Sequence, residues 1–323
     1  MHKFTTSYKV ISIILLCTLL MLCGCSKAKE AFADDPSKAP FSPAPQPTAE
    51  TPSAETLPEE PAADTTAAAI TSVNWESYFD GINGAAVIYS PSENSYQIYN
   101  QKTALIQRSP CSTFKIISSL IALENGVISP YDSIRTWSGE VFWNEKWNNN
   151  MNFEDAFRTS CVWYYRKIIN EIGKDTMQQE LNRLSYGNCN ISDWEGRLNT
   201  NNSNRSLTGF WIESSLKISP KEQTEVMERI FGEHSIYSQE VQNTLKQVML
   251  VSDLQSENTF IYGKTGMGKS HGIVVDAWFA GFADTINGRS YFCIYLGETD
   301  GKNVSSSKAK EIAIEIVSDL EKV

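Results

Sequence analysis

Pro110-Cys111-Ser112-Thr113-Phe114-Lys115-Ile116-Ile117-Ser118-Ser119-Leu120-Ile121 is the stretch on which the reading turns. Phe114, Ile117, Leu120 and Ile121 recur at helical spacing, and Asn125-Gly126 supplies a stop, so a helix is predicted to begin near Ser112. Ser112 and Lys115 stand three apart, on one face of that helix, which brings the amine within reach of the hydroxyl. Serine is a weak nucleophile until a neighbouring base takes its proton, and a desolvated lysine can do so. A helix start also offers unpaired backbone N–H groups to an oxyanion. Alone, the Ser-x-x-Lys spacing decides nothing. It recurs at Ser26, Ser214, Ser305 and Ser307, and a plain serine in a first helical turn is the alternative. Ser112 differs in its setting, with Pro110-Cys111 before it and an apolar helix after it.

Working outward, residues 85–89 and 95–100 read as two strands joined by Ser90-Pro91-Ser92-Glu93-Asn94. Roughly 130–250 is helix- and loop-rich. Strands return at 259–264, 274–282 and 291–296, and a terminal helix is predicted at about 306–320. Strands at both ends with helices between predict an α+β fold: an antiparallel sheet flanked by helices, plus a mostly helical subdomain. Lys264-Thr265-Gly266 follows an apolar strand. Its lysine can present charge to a substrate carboxylate, Thr265 can donate a hydrogen bond, and Gly266 lets a ligand approach the backbone. In isolation that tripeptide is better explained by a strand-end turn. Ser160-Cys161-Val162 and Tyr186-Gly187-Asn188 carry nothing alone, and Trp211 is by default a core aromatic.

The chain has 323 residues, a formal charge of −10 and three histidines, His2, His234 and His271. The acidic balance argues against a nucleic-acid partner, and the scattered histidines against a metal hydrolase. Residues 1–25 read as an export signal. His2, Lys3 and Lys9 form a weakly basic start, and an apolar run over 10–22 ends in Leu22-Cys23-Gly24-Cys25. That ending resembles a bacterial lipobox, with cleavage before Cys25 and lipid on its sulfur. An ordinary signal peptide or an uncleaved anchor is the alternative. Residues 26–70 hold eight of the twelve prolines and set three lysines against eight acids, so they are expected to be a disordered tether. Residues 71–323 are left as one folded domain. Of its four cysteines, Cys111 and Cys161 flank the two serines of interest. The spacing shows no metal pattern, and buried free thiols are the expectation.

The combination is more specific than its parts. Ser-x-x-Lys, Ser-x-Val, Tyr-Gly-Asn, Phe-Trp-Ile-Glu and Lys-Thr-Gly follow one another. Ser112, Ser160, Tyr186, Trp211 and Lys264 lie 48, 26, 25 and 53 residues apart in turn. With Leu216-Lys217-Ile218-Ser219-Pro220-Lys221-Glu222-Gln223 and Ala277-Trp278-Phe279-Ala280-Gly281, this order resembles the class D serine β-lactamases, the oxacillinases, over roughly 75–320. Tyr-Gly-Asn with Ser-x-Val separates it from class A.

The resemblance implies a serine β-lactamase/penicillin-binding-like fold and hydrolysis of the β-lactam amide of antibiotics. Ser112 becomes acylated. Lys115 is carboxylated on its amine by CO2 (an N6-carboxylysine) and acts as general base for acylation and deacylation, so bicarbonate is needed but no metal or other cofactor. Carboxylation needs a neutral amine, which Phe114, Val162 and Trp211 would favour by desolvation. The resemblance further implies that Trp211 donates its indole N–H to the carbamate and that Ser160, aided by Lys264, relays a proton to the lactam nitrogen. Backbone N–H groups of Ser112 and Met267 form the oxyanion hole. Val162, Thr265, Gly266, Met267, Tyr186 and Asn188 line the substrate. One departure stands out: family members usually carry a carboxylate-gripping Arg in the terminal helix, and Ala309 aligns there, with Lys308 and Lys310 beside it. The expected partners are β-lactams and, through Cys25, the outer side of a bacterial cell membrane. No feature calls for an obligate protein partner. The sensor domains of β-lactam signal transducers share these motifs but stay acylated, and they need transmembrane helices and a cytoplasmic effector; this chain has a single N-terminal apolar segment. A penicillin-binding peptidase and a non-catalytic envelope lipoprotein are further alternatives. Trp211 and Ser-x-Val favour deacylation.

Overall fold

The computed structural model describes residues 67–198, 203–251 and 259–322. The predicted signal, Cys25 and the tether up to residue 66 lie outside the described residues. Six strands form one sheet: β1 (Ala69–Ser72), β2 (Gly84–Ser90), β3 (Ser95–Tyr99), β4 (Phe260–Ser270), β5 (Ile273–Thr285) and β6 (Gly288–Gly297), in the order β1-β3-β2-β6-β5-β4. The antiparallel expectation is corrected at one edge, where β1 runs parallel to β3 with Ala69 opposite Ser95. This strand takes Ala69 and Ile70 from the end of the expected tether. All four residues of β1 are exposed, so no alternation in Ala-Ile-Thr-Ser marks it as a strand. Pairing of β2 with β6 joins the early strands to the late hairpins.

Short helices α1 (Glu76–Phe79) and α2 (Gln101–Ala104) accompany the first strands. Between β3 and β4 lie α3 (Phe114–Glu124), α4 (Phe153–Arg158), α5 (Val162–Ile172), α6 (Lys174–Leu184), α7 (Pro220–Phe231) and α8 (Gln239–Met249). The chain closes with α9 (Ser306–Leu320), the span expected of the terminal helix. Ile312, Ala313, Ile316 and Val317 of α9 pack with Phe279, Phe292 and Ile294 on one side of the sheet. Phe282 and Tyr291 join the helical core on the other. Cover on both sides explains why β5 and β6 are buried over long unbroken runs rather than alternately.

Helix α3 runs through the interior, buried from Phe114 to Ala122. A helix apolar on one stripe was expected, yet the whole circumference is enclosed, so its polar residues need internal partners. Ser118 Oγ donates to the Phe114 carbonyl at 3.1 Å, and Ser119 Oγ is hydrogen-bonded to the Tyr165 hydroxyl at 2.8 Å. The Ser219-Pro220-Lys221-Glu222 stretch is a helix start. Ser219 Oγ accepts from the Glu222 N–H while Glu222 accepts from the Ser219 N–H, and Pro220 occupies the first turn of α7.

Candidate active site

A short 3-10 turn, Cys111–Thr113, leads into α3 and carries Ser112 at its centre. Cys111 stands at φ +50, a left-handed conformation costing about 1–2 kcal/mol for a residue with a side chain. Surrounding bonds hold it there. The Cys111 N–H and Ser109 Oγ both donate to the Trp211 carbonyl, at 3.0 and 3.3 Å. Thr113 Oγ1 donates to the Pro110 carbonyl at 2.8 Å and accepts from Gln223 Nε2 at 2.8 Å. Arg108 exchanges two backbone hydrogen bonds with Ile218, at 2.9 and 2.8 Å. The nucleophile loop is thereby fixed by residues about 100 positions later.

Lys115 lies one helical turn on, fully buried, and its Nζ donates to Ser112 Oγ at 2.9 Å. Burial pulls its amine down to about 8. The Tyr165 ring lies beneath, its centroid 5.2 Å from Nζ. Tyr165 carried no signal by itself, though its place three residues after Val162 in α5 points it inward with Ile168 and Ile169. Phe114 stacks on Trp211 with centroids 6.1 Å apart, and both are wholly buried. Val162 is half-buried at the start of α5. Cys111 and Cys161 are free, buried thiols; burial pushes Cys161 up to about 12 and raises Cys111 further, so both are neutral beside Lys115.

Ser160 arrives from another direction. It sits between α4 and α5 at φ +58, with its N–H on the Phe157 carbonyl at 3.1 Å, while the next N–H, of Cys161, reaches back to Ala156 at 2.8 Å. That is a left-handed helix termination in which a serine takes the place usual for glycine. Trp147 Nε1 donates to the Thr159 carbonyl at 3.1 Å, and Trp163 Nε1 to the Trp147 carbonyl at 2.9 Å, pinning the joint. Lys264 Nζ, from β4, donates to Ser160 Oγ at 3.2 Å. Burial draws the Lys264 amine well below its ordinary value, and the charge of Lys115 lowers it further. Two half-buried hydroxyls are therefore each held by a buried amine.

Strand β4 approaches the nucleophile turn closely. A Cβ on Gly266 would lie 2.9 Å from the Pro110 carbonyl and 3.1 Å from the Thr113 nitrogen. Gly266 was expected to admit a ligand; here it admits the nucleophile loop. Met267 follows it, partly exposed. Tyr186 and Asn188 differ in exposure, the first interior and the second at the surface. Tyr186 is wholly buried, edge-on to Phe114. Asn188 Nδ2 donates to the Ser215 carbonyl at 2.9 Å, and its Oδ1 accepts from the Lys217 N–H at 2.9 Å. Their side chains bind the fold together. Ala309 is fully buried among the core residues of α9.

Comparison with known proteins identifies the family of this fold. The model of the penicillin-binding protein transpeptidase domain matches residues 83–318. The regulatory protein BlaR1 of Bacillus licheniformis is 30% identical over 253 residues, 76% of this chain, which spans only 39% of that protein's length. β-Lactamase OXA-1 of Escherichia coli is 33% identical over 263 residues, covering 79% of this chain and 92% of that one. The crystal structure of class D β-lactamase YbXI from Nostoc superposes with a TM-score of 0.67 at 29% identity, covering 77% of this chain and 99% of the other. The chain belongs to the penicillin-binding transpeptidase-domain family and is homologous to its class D β-lactamases.

Proposed function

We propose that the protein hydrolyses the amide bond of β-lactams through an acyl-enzyme on Ser112. The observation that carries this reading is the 2.9 Å contact of the wholly buried Lys115 Nζ with the Oγ of the half-buried Ser112. Ser112 Oγ attacks the lactam carbonyl carbon and its proton passes to the base seated at Lys115. The C–N bond breaks, and the nitrogen takes a proton by way of Ser160, whose hydroxyl is held by Lys264. Backbone N–H groups of Ser112 and Met267 stabilise the oxyanion. Water then attacks the ester, and the opened acid leaves. An amine drawn down to about 8 by burial fits the carboxylated form, since CO2 adds only to a neutral amine; when present, that carbamate supplies a stronger base than the amine. Thr265 and Met267 face the substrate, Val162 flanks Lys115, and Trp211 steadies both Lys115 and the nucleophile loop. Tyr186, Asn188 and Gly266 act by shaping the loop. The apolar run and the Cys25 ending support an exported protein held by lipid on the outer side of a bacterial cell membrane, with residues 26–70 as its leash.

Likeness to BlaR1 favours a second reading, a receptor that acylates and does not turn over. A chromogenic cephalosporin distinguishes the two. With the full chain in detergent, sustained turnover that rises on adding bicarbonate is expected. One stoichiometric burst followed by a stable acyl-protein would establish the receptor instead.

The pH dependence follows from Lys115. Below about 8 its amine is protonated and can neither accept the Ser112 proton nor take up CO2; above, it is neutral. The acylation rate is expected to fall about tenfold per unit as pH drops below about 8, and to level off above it. Labelling by a fluorescent penicillin between pH 6 and 10 measures this. A flat profile would remove Lys115 from the proton transfer.

A further inference from the structure

We infer that Asp276 of β5 is a positioning residue for the reaction. Its buried carboxylate ties the turn that carries Ser112 to the strand that carries Met267, and so sets the spacing of the two N–H groups offered to the oxyanion. This rests on the β-lactam reading above and adds to it a residue that lies outside the reacting groups.

Asp276 is out of character for its strand. The residues that follow it, Ala277 to Ala280, are buried and apolar, yet Asp276 is itself only 8% exposed. Burial raises its carboxyl above the ordinary value. The Tyr295 hydroxyl and the charges of Arg108 and Lys217 pull it back only in part, and Glu213 acts against them. A buried carboxylate is costly unless its partners are well placed, so those partners are informative. Tyr295 Oη, from β6, donates to Asp276 Oδ1 at 3.1 Å, with the Val275 carbonyl also in reach at 3.2 Å. Arg108 Nη1 lies 3.9 Å from the same carboxylate oxygen, and its guanidinium covers the Tyr295 ring, 4.9 Å from the centroid.

The carboxylate stands where two segments meet. In the pairing of β4 with β5, Asp276 is opposite Gly268, just before the register shifts between Gly268 and Lys269. A Cβ on Gly268 would lie 3.0 Å from Cys111 Sγ and 3.5 Å from Asp276 Oδ2, so thiol and carboxylate both crowd one glycine. Cys111 precedes Ser112 and Gly268 follows Met267, which puts each oxyanion donor one residue from this contact. Arg108 closes the link from the other side. Its backbone bonds to Ile218 root the nucleophile turn, and its side chain pairs with Asp276. Cys111, held at φ +50, gives that turn strain to release if the anchoring slackens. Without the Asp276 charge the hold on Arg108 weakens and the turn can shift against β4. A misplacement of about 1 Å at a reacting centre can cost on the order of 10²-fold in rate.

The test uses the full chain and two probes. A fluorescent penicillin gives the rate constant of acylation, and its end point counts the folded chains. An arylboronic acid adds Ser112 Oγ to boron, the serine proton passing to the base, and leaves one oxygen of a tetrahedral anion in the oxyanion hole. Asp276→Asn keeps the size and the acceptor for Tyr295 but removes the charge. It is expected to slow acylation about tenfold, less than the roughly 10²–10³-fold of losing a donor outright, and to weaken the boronic acid by the same factor. Arg108→Gln should do likewise, and the double variant should be no slower than the slower single one, because the two act as one unit. Should Asp276→Asn not fold, Tyr295→Phe takes its place, with a slowing of several-fold in both readings. Acylation within twofold of wild type, a boronic acid affinity that stays unchanged while the rate falls, or losses that multiply in the double variant would each overturn the assignment. A wild-type chain that neither labels nor binds the boronic acid would instead overturn the β-lactam reading itself.

Discussion

Lys115→Ala should lower hydrolysis of a chromogenic cephalosporin on the order of 10²–10⁴-fold, the range for losing a positioned base. Nζ is the amine that touches Ser112 Oγ, and the other amine of the site, Lys264, is held on Ser160. Alanine at 115 leaves the nucleophile without a proton acceptor. Ser112→Ala makes the companion test: covalent labelling by a fluorescent penicillin should vanish. Should Lys115→Ala label at the wild-type rate yet fail to turn over, its role would be confined to deacylation. Loss of fold is excluded by a second measurement. Because burial lowers the amine to about 8 in the folded chain, against about 10.4 when unfolded, the unfolded state binds more protons between those values. Stability of the wild type should therefore gain a contribution as pH rises from about 8 to about 10.4. That contribution should be missing from a folded Lys115→Ala variant, and melting temperatures across the range report it.

Much of this site is legible because its parts are local. A serine and a lysine three apart on one helix meet by geometry, and the 2.9 Å contact follows from the spacing. Helix α9 is readable from its apolar period and its Ser305 start, and β4 to β6 from their apolar runs. Other features depend on partners distant in the chain. Strand β1 exists only through its pairing with β3. The strained φ of Cys111 is held by the Trp211 carbonyl and by Gln223, through Thr113, both beyond any local pattern. Gly266 shows a subtler limit. Its type was informative, but whether a ligand or a loop occupies the space is decided by tertiary packing.

Gly187→Ala tests whether Tyr-Gly-Asn serves the fold or the substrate, and its expected effect on stability is large. Gly187 has φ +52, and a Cβ there would lie 2.0 Å from the Lys217 carbonyl and 2.9 Å from the Ile218 Cα. Those are backbone atoms, so no side chain can rotate away. The segment 217–218 would have to move, and it is the one that exchanges hydrogen bonds with Arg108 at the root of the nucleophile loop. Asn188 clamps the same segment from the other side through Ser215 and Lys217. Left-handed strain of about 1–2 kcal/mol and overpacking of about 1–3 kcal/mol add to roughly 2–5 kcal/mol. At about 2–4 °C per kcal/mol for a domain of this size, the melting temperature should fall by roughly 4–20 °C. Asn188→Ala should lower it as well, by less, through loss of the two hydrogen bonds that hold Ser215 and Lys217. If the motif instead contacted substrate, Asn188→Ala would raise KM for a penicillin with the melting temperature unmoved. A shift in KM alone, with Gly187→Ala melting within about 1 °C of wild type, would return Tyr186 and Asn188 to the substrate side. The structure predicts the reverse, because an exposed substrate contact and a fully buried Tyr186 cannot describe the same side chain.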